Sequence, residues 1–152
     1  MFTYRAIVGS LVLALVGPSF AQGKPATVVA VNMKPGIWEI ATSIETSESK
    51  TRRVVTSRLC YTNEDTASPA RVLPPQRGVA MKCQIQDLKV PDPTNMTWHT
   101  TCAAKDANFI GTGSLKAQGS HYAAQVSLES RVGSKVAKID EKTAGHWVEA
   151  CR

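Results

Sequence analysis

The chain has 152 residues, with 18 Lys and Arg against 12 Asp and Glu, a formal net charge of +6 at pH 7, and four cysteines. The basic residues are spread along the chain, and the longest basic run is the pair Arg52-Arg53. This composition argues against nucleic-acid binding and favours solubility as the reason for the positive charge. Beyond residue 21 no apolar stretch is long enough to span a bilayer as a helix, so we predict that this part of the chain is soluble.

The N-terminus has the pattern of an export signal. One positive charge at Arg5 precedes an apolar run of 11 residues, and Ser19-Phe20-Ala21 places small residues three before and one before a cleavage point. The apolar run is too short to cross a bilayer as a helix. We therefore predict that residues 1–21 are a signal peptide cleaved after Ala21, and that the protein is periplasmic or secreted. An uncleaved membrane anchor is the alternative.

The cysteines all lie after the predicted cleavage point, at Cys60, Cys83, Cys102 and Cys151. An even number in an exported chain predicts two disulfides. The absence of a C-x-x-C spacing disfavours a redox pair and a zinc ribbon. Our preferred pairing is Cys60–Cys83 with Cys102–Cys151, which would tether a proline-rich loop and the C-terminus. The rival pairing joins Cys83 to Cys102 across a turn at residues 91–94.

The first half of the predicted domain shows the two-residue period of half-buried strands after a polar and β-branched lead-in at residues 22–34. The first strand carries four residues on one face: Trp38, Ile40, Thr42 and Ile44. A second run covers residues 51–61, and residues 62–79, which hold three prolines, are predicted to form a long loop. The third run places Met81, Cys83 and Ile85 on one face and loses its phase at Asp87-Leu88, which indicates a bulge.

The second half continues the pattern after a turn at residues 91–94. The fourth strand is predicted to turn four residues inward: Met96, Trp98, Thr100 and Cys102. The fifth covers residues 109–117, where Gly111 and Gly113 mark a place at which a bulky side chain would clash or a closed sheet must bend. The sixth covers residues 122–132. Residues 135–151 are weaker and are predicted to form two short strands around residues 142–145.

Seven or eight strands with short turns predict a single all-β domain over residues 35–152. No convincing amphipathic helix is present, so we expect an antiparallel meander that is closed as a small barrel or folded as a sandwich. In an eight-stranded up-and-down meander all four cysteines would gather at one end. The opposite end, with turns near residues 47–50, 92–95 and 118–120, would then be left unconstrained.

One motif resembles a known family. Residues 33–39 read Met-Lys-Pro-Gly-Ile-Trp-Glu, which is similar to the Lys-Pro-Gly-Leu-Trp-Glu that opens the first strand of small exported bacterial proteins grouped as domain of unknown function 3617. The resemblance continues to residue 151 through further segments: Arg58-Leu59-Cys60, Thr97-Trp98 and Gly111-Thr112-Gly113. The tail differs, since the family usually ends in a stretch like Gly-Arg-Arg-Leu-Gly-Asp-Cys. The resemblance implies export, a β fold and disulfides. It gives no information about the activity of the protein.

Candidate site residues are few. Ser, His and Asp are present without the sequence context of a hydrolase, so we predict no enzymatic activity and no cofactor. His99, His121 and His146 do not share a strand or a helical turn, and we interpret them as surface histidines rather than metal ligands. Two further sets complete the candidates. The motif residues are Lys34, Pro35, Gly36, Trp38 and Glu39, and the residues expected either in the core or against a ligand are Trp38, Trp98 and Tyr122.

Two functional hypotheses follow from this reading. In the first, a monomeric β domain binds a small apolar or amphiphilic ligand at the open end of its sheet. In the second, the protein binds no ligand and interacts with another protein of the cell envelope, or has a structural role there. A wide pocket lined by aromatic and aliphatic side chains would favour the first hypothesis, and a filled interior with an exposed apolar patch would favour the second.

Overall fold

The structure is a computed structural model, and it describes residues 29–74 and 81–152. The predicted signal peptide and its cleavage point lie outside the described residues. Within the described residues there are seven strands, in chain order β1 (Gly36–Thr46), β2 (Ser49–Tyr61), β3 (Lys82–Asp92), β4 (Asn95–Ala103), β5 (Asn108–Gln118), β6 (His121–Val132) and β7 (Lys135–Glu149). Between β2 and β3 lie a four-residue helix, α1 (Asn63–Thr66), and a 3-10 turn (Pro69–Arg71).

All seven strands form one antiparallel sheet in the order β2-β1-β7-β6-β5-β4-β3. This confirms the prediction of an all-β antiparallel domain with two disulfides. The sheet is not closed into a barrel, because β2 and β3 are its two edges instead of being paired with each other. The strands β3 to β7 form an up-and-down meander, and the β1–β2 hairpin joins it through the pairing of β1 with β7.

The last strand differs from the prediction. Residues 135–149 form one continuous strand of 15 residues, paired with β1 on one side and β6 on the other, so the prediction of two short strands is wrong. The sequence does not show one continuous strand because two inward positions of β7 carry polar side chains. Glu141 and Thr143 are buried, and they interrupt the apolar alternation that identifies a strand in the sequence.

The connection between β2 and β3 reverses the direction that β3 to β7 would have if β3 returned directly from β2. We call the end of the sheet where β1 begins the lower end, and the opposite end the upper end. Since neighbouring strands are antiparallel, β2 finishes at the lower end and β3 begins at the upper end. The chain therefore crosses the length of the sheet between residues 61 and 82. In its described part, up to residue 74, the connection packs against the core through three buried residues: Thr66, Pro69 and Val72.

The disulfides lie at opposite ends of the sheet. Cys60 is joined to Cys151 at the lower end, and Cys83 is joined to Cys102 at the upper end. The preferred pairing is therefore wrong and the rival Cys83–Cys102 pair is confirmed, because β3 and β4 place these two residues directly opposite each other. The prediction that all four cysteines share one end is also wrong, since it assumed that β3 returns directly from β2. Two disulfides indicate an oxidising compartment.

The three turns that were predicted to share one end of the sheet also lie at opposite ends. The β1–β2 turn lies at the upper end, whereas the β3–β4 and β5–β6 turns lie at the lower end. In the β3–β4 turn, hydrogen bonds from Thr94 and Asn95 lower the pKa of Asp92 to about 2.

The predicted bulge is confirmed, because the β3–β4 register shifts between Gln86 and Lys89.

The core fills the inner face of the sheet. Its buried residues include the predicted inward residues of β1 and β4, together with alternating residues of β5, β6 and β7. Residues 29–34 of the lead-in cover the lower end, where Val31 and Met33 are buried. Asn32 donates a backbone hydrogen bond to Pro93 and accepts one from Gly119, so the lead-in is attached to two lower turns.

Candidate functional site

The Lys-Pro-Gly-Ile-Trp motif joins the lead-in to the sheet. The indole nitrogen of Trp38 donates a hydrogen bond to the carbonyl oxygen of Lys34, and that of Trp147 donates one to the carbonyl oxygen of Pro35, each at 2.9 Å. The ammonium group of Lys34 lies 3.7 Å from the centroid of the Trp147 ring. Gly36 has a φ of +144° and packs against that indole, so a Cβ would clash there. These motif residues therefore have a structural role, because they join the segment that leads into β1 to the end of β7.

The final motif residue points to the other face. Glu39 is placed between two basic side chains, with Arg58 on β2 at 3.3 Å from one carboxylate oxygen and His146 on β7 at 3.3 Å from the other. All three residues lie in one row across neighbouring strands. Glu39 therefore belongs to a polar cluster on the outer face, the side of the sheet opposite to the core.

The aromatic candidates lie inside. Trp38, Trp98 and Tyr122 are 0%, 3% and 3% exposed, and all three belong to the core. The Trp38 ring lies 5.4 Å from that of Tyr122 and 6.3 Å from that of Tyr61, measured between centroids. Burial, with Tyr61 nearby, raises the pKa of Tyr122. Aromatic side chains therefore occupy the inner face of the sheet around Trp38, and all three candidates pack within the core.

A row of small residues crosses the outer face. Ala41 on β1, Ala144 on β7 and Ala123 on β6 lie directly beside one another in the ladder and are exposed. The row ends at Thr56 on β2 and at Lys116 on β5. We call the surface above this row the alanine groove. The sequence did not reveal it, because alanines on three strands align only once the register of each strand pair is known.

The groove contains two adjoining depressions. The upper one has a volume of about 680 Å³ and the lower one about 770 Å³, and both lie above Ala41 and Ala144. Among the described residues that line the upper depression, three are cationic, namely Arg52, Lys116 and Lys142, and none is acidic. Arg52 has one acidic neighbour outside that lining, Glu45, at 3.6 Å. The upper depression is therefore a positively charged surface with an apolar floor.

The lower depression contains the cluster around Glu39, with His121 beside His146. These two histidines are cross-strand partners of β6 and β7, a proximity that the sequence prediction missed because it considered only spacing within one strand. His99 lies apart on β4, where its Nδ1 is 3.2 Å from Asp87. Within residues 29–74 and 81–152, no three His, Cys, Asp or Glu side chains form a group that could hold a metal ion.

Comparison with known proteins decides the family. A family model described as a protein of unknown function, DUF3617, matches residues 33–151. The chain belongs to this family. No curated protein and no solved structure matches the chain. The helical segments of this DUF3617 protein, as far as the structure describes them, have neither the length nor the apolar character needed to cross a membrane.

Proposed function

We propose that this DUF3617 protein is a non-enzymatic binding protein, exported through a cleaved signal peptide, that takes a small amphiphile with an acidic head group in the alanine groove. The observation that carries the proposal is the upper depression, where three cations surround an apolar floor without an acidic residue among its described lining. An apolar chain would lie on the alanines, and the acidic head would contact Lys116 and Lys142.

The dimensions of the groove support this assignment. Volumes of about 680 and 770 Å³ lie within the range of about 300–1,000 Å³ that is typical of small-molecule sites. The row from Thr56 to Lys116 crosses five neighbouring strands, which corresponds to about 19 Å between its ends at the usual strand spacing. The groove is therefore long enough for an extended acyl chain that runs perpendicular to the strands.

The electrostatics determine which head group is preferred. Lys116 and Lys142 are exposed, and in the described part of the chain no carboxylate forms an ion pair with either ammonium group. An acidic head group would supply the missing counter-charge. Because exposed charge pairs are screened by salt, binding should weaken as the ionic strength rises.

The test uses two probes with the same chain and opposite charges. Dodecanoate and dodecyltrimethylammonium are titrated into the protein by calorimetry, below their micelle concentrations. We expect dodecanoate to bind and the cationic probe not to bind. The double variant Lys116→Gln/Lys142→Gln should bind dodecanoate about fivefold more weakly, since two exposed charge contacts contribute roughly 1 kcal/mol.

Two further variants separate the groove from the net charge. Lys105→Gln/Lys135→Gln removes the same two charges outside the lining of the groove and should leave binding unchanged. Ala144→Glu places a carboxylate on the exposed floor and should abolish binding. Equal binding of both probes, or a failure of dodecanoate to bind, would refute the proposal.

A second candidate function is contact with another envelope protein. The observation that favours it is the pair of sheet edges. Among the strands that the structure describes, β2 and β3 each have a neighbour on one side only, and Val54 on β2 is 59% exposed. Edge strands can accept an additional strand from a partner. Strand addition would protect backbone amides of β2 or β3 from hydrogen exchange, whereas a ligand in the alanine groove would not.

A further inference from the structure

We propose that His121 and His146 together bind one divalent late transition-metal ion, such as Cu²⁺ or Zn²⁺, on the outer face of the sheet. His121 and His146 line the lower depression of the alanine groove, but the inference does not rest on the amphiphile proposal, because it uses a different pair of side chains and a different kind of ligand. It uses two protein ligands, with water completing the coordination of the ion.

The backbone places the two imidazoles close together. His121 and His146 are direct partners in the β6–β7 ladder. The next pair, Ser120 and Trp147, is joined by a hydrogen bond from the Trp147 amide to the Ser120 carbonyl oxygen at 2.8 Å. Hydrogen-bonded and non-hydrogen-bonded pairs alternate in an antiparallel ladder, so the histidines occupy a non-hydrogen-bonded pair. Side chains approach most closely there, with Cβ atoms about 4.5–5.5 Å apart, which allows two imidazoles to reach one ion.

Neighbouring side chains hold each imidazole by one nitrogen and leave the other available. Nε2 of His146 lies 3.3 Å from a carboxylate oxygen of Glu39, whose second oxygen contacts Arg58. Nδ1 of His121 lies 3.0 Å from the hydroxyl of Ser120. A metal-binding histidine usually donates its second ring N–H to such a partner, which fixes the tautomer and orients the ring. Here Nδ1 of His146 and Nε2 of His121 remain as ligands.

The chemistry of the donors selects the metal class. Neutral imidazole nitrogen suits Cu²⁺, Ni²⁺ and Zn²⁺, while Mg²⁺ and Ca²⁺ prefer oxygen. Among these ions Cu²⁺ binds nitrogen sites most tightly. The His146 side chain is 54% exposed, so the ion keeps part of its hydration shell. The guanidinium of Arg58 is directed to Glu39 and offsets its charge, and affinity for the ion therefore depends on the two imidazoles.

The experiment titrates Cu²⁺ and Zn²⁺ by calorimetry into protein that carries no histidine tag. We expect one site, and we expect His121→Gln and His146→Gln each to weaken binding at least tenfold, because each leaves a single imidazole. The control is His99→Gln, which removes an exposed histidine that also has an acidic neighbour, Asp87, but that has no histidine opposite it in the ladder. The control should bind the metal as the parent protein does.

Spectroscopy provides a second measurement. The Cu²⁺ electron paramagnetic resonance spectrum of the parent protein should show coupling to two imidazole nitrogens, and each single variant should show coupling to at most one. Circular dichroism of the variants confirms that the sheet is retained. Parent-like affinity after either His121→Gln or His146→Gln, or tenfold weaker binding by His99→Gln, would overturn the proposal. Failure of the parent protein to bind either ion would overturn it as well.

Discussion

Glu141 places a carboxyl group on the inner face of β7. The residue is 5% exposed and lies between Ile44 on β1 and Val126 on β6. Burial raises the pKa of this carboxyl, because an apolar environment disfavours the charged form. Ionisation of a buried acid of this kind destabilises the folded state, and the stability of the protein therefore depends on pH.

The sign of this dependence can be tested with Glu141→Gln. Since the pKa is higher in the folded than in the unfolded state, the folded protein binds more protons, and the free energy of unfolding falls as pH rises from the unfolded pKa, about 4.3, through the folded one. We expect the variant to be more stable than the parent at pH 7 and equally stable below pH 4. Urea unfolding at both pH values measures the difference.

The matched control for this prediction is Glu48→Gln. Glu48 is exposed in the β1–β2 turn, and its replacement changes the net charge by the same amount. A gain in stability of Glu141→Gln that is equal at both pH values, or that is reproduced by Glu48→Gln, would contradict a role for burial of the acid.

Close contacts at individual glycine residues were only partly predictable from the sequence. The prediction that a bulky side chain would clash at Gly111 and Gly113 is confirmed, because a Cβ at Gly113 would collide with the indole of Trp98 and one at Gly111 with the β6 backbone at Ser127. Gly145 is covered in the same way by the ring of Tyr122. That pairing was not predicted, because the neighbour of Gly145 is set by the β6–β7 register and not by the local sequence.

At the scale of elements, alternation predicted the strands well wherever the inward residues are apolar. β4 and β6 are the clearest cases. β7 was divided into two because Glu141 and Thr143 are polar, although the hydroxyl of Thr143 is paired with that of Thr42 at 3.0 Å. The direction of β3 was not predictable, because the sequence identifies a proline-rich connection without showing that it crosses the sheet. The alanine groove and the histidine pair both depend on which strands are neighbours and in which register, and they were not predicted because the sequence does not show this.

The two disulfides close loops of very different length. Cys60 and Cys151 are 91 residues apart in the chain, whereas Cys83 and Cys102 are 19 residues apart. In the chain-entropy model a cross-link stabilises the fold by restricting the unfolded chain, and a longer loop gives the larger effect. The model gives about 4.6 kcal/mol for the first disulfide and about 3.3 kcal/mol for the second.

We therefore expect Cys60→Ser/Cys151→Ser to lower the free energy of unfolding more than Cys83→Ser/Cys102→Ser, by about 1.3 kcal/mol. Urea unfolding of both double variants measures the difference, and the parent protein with both disulfides intact is the reference. The opposite order would show that native contacts of the upper disulfide, which joins β3 to β4, outweigh the loop-length effect.

At the scale of the whole molecule, the strand order determines which parts of the sheet open first. β7 lies between β1 and β6, and it contributes buried residues along its length. β3 is an edge strand, and each of its residues is either exposed or half-buried. The other edge, β2, is joined to β1 by a short turn and to the C-terminus by the Cys60–Cys151 disulfide. Local stability should therefore decrease from β7 toward β3.

Native-state hydrogen exchange measures this gradient directly. We expect the slowest amides in β6 and β7, whose opening requires loss of two ladders, and the fastest strand amides in β3, which has one ladder and few buried side chains. Reduction of the Cys83–Cys102 disulfide should accelerate exchange in β3 and leave β7 unchanged, because that disulfide joins only the edge strand to its neighbour. Equal protection of β3 and β7 would mean that the sheet opens as one cooperative unit, and that the free edge is held by contacts other than its ladder to β4.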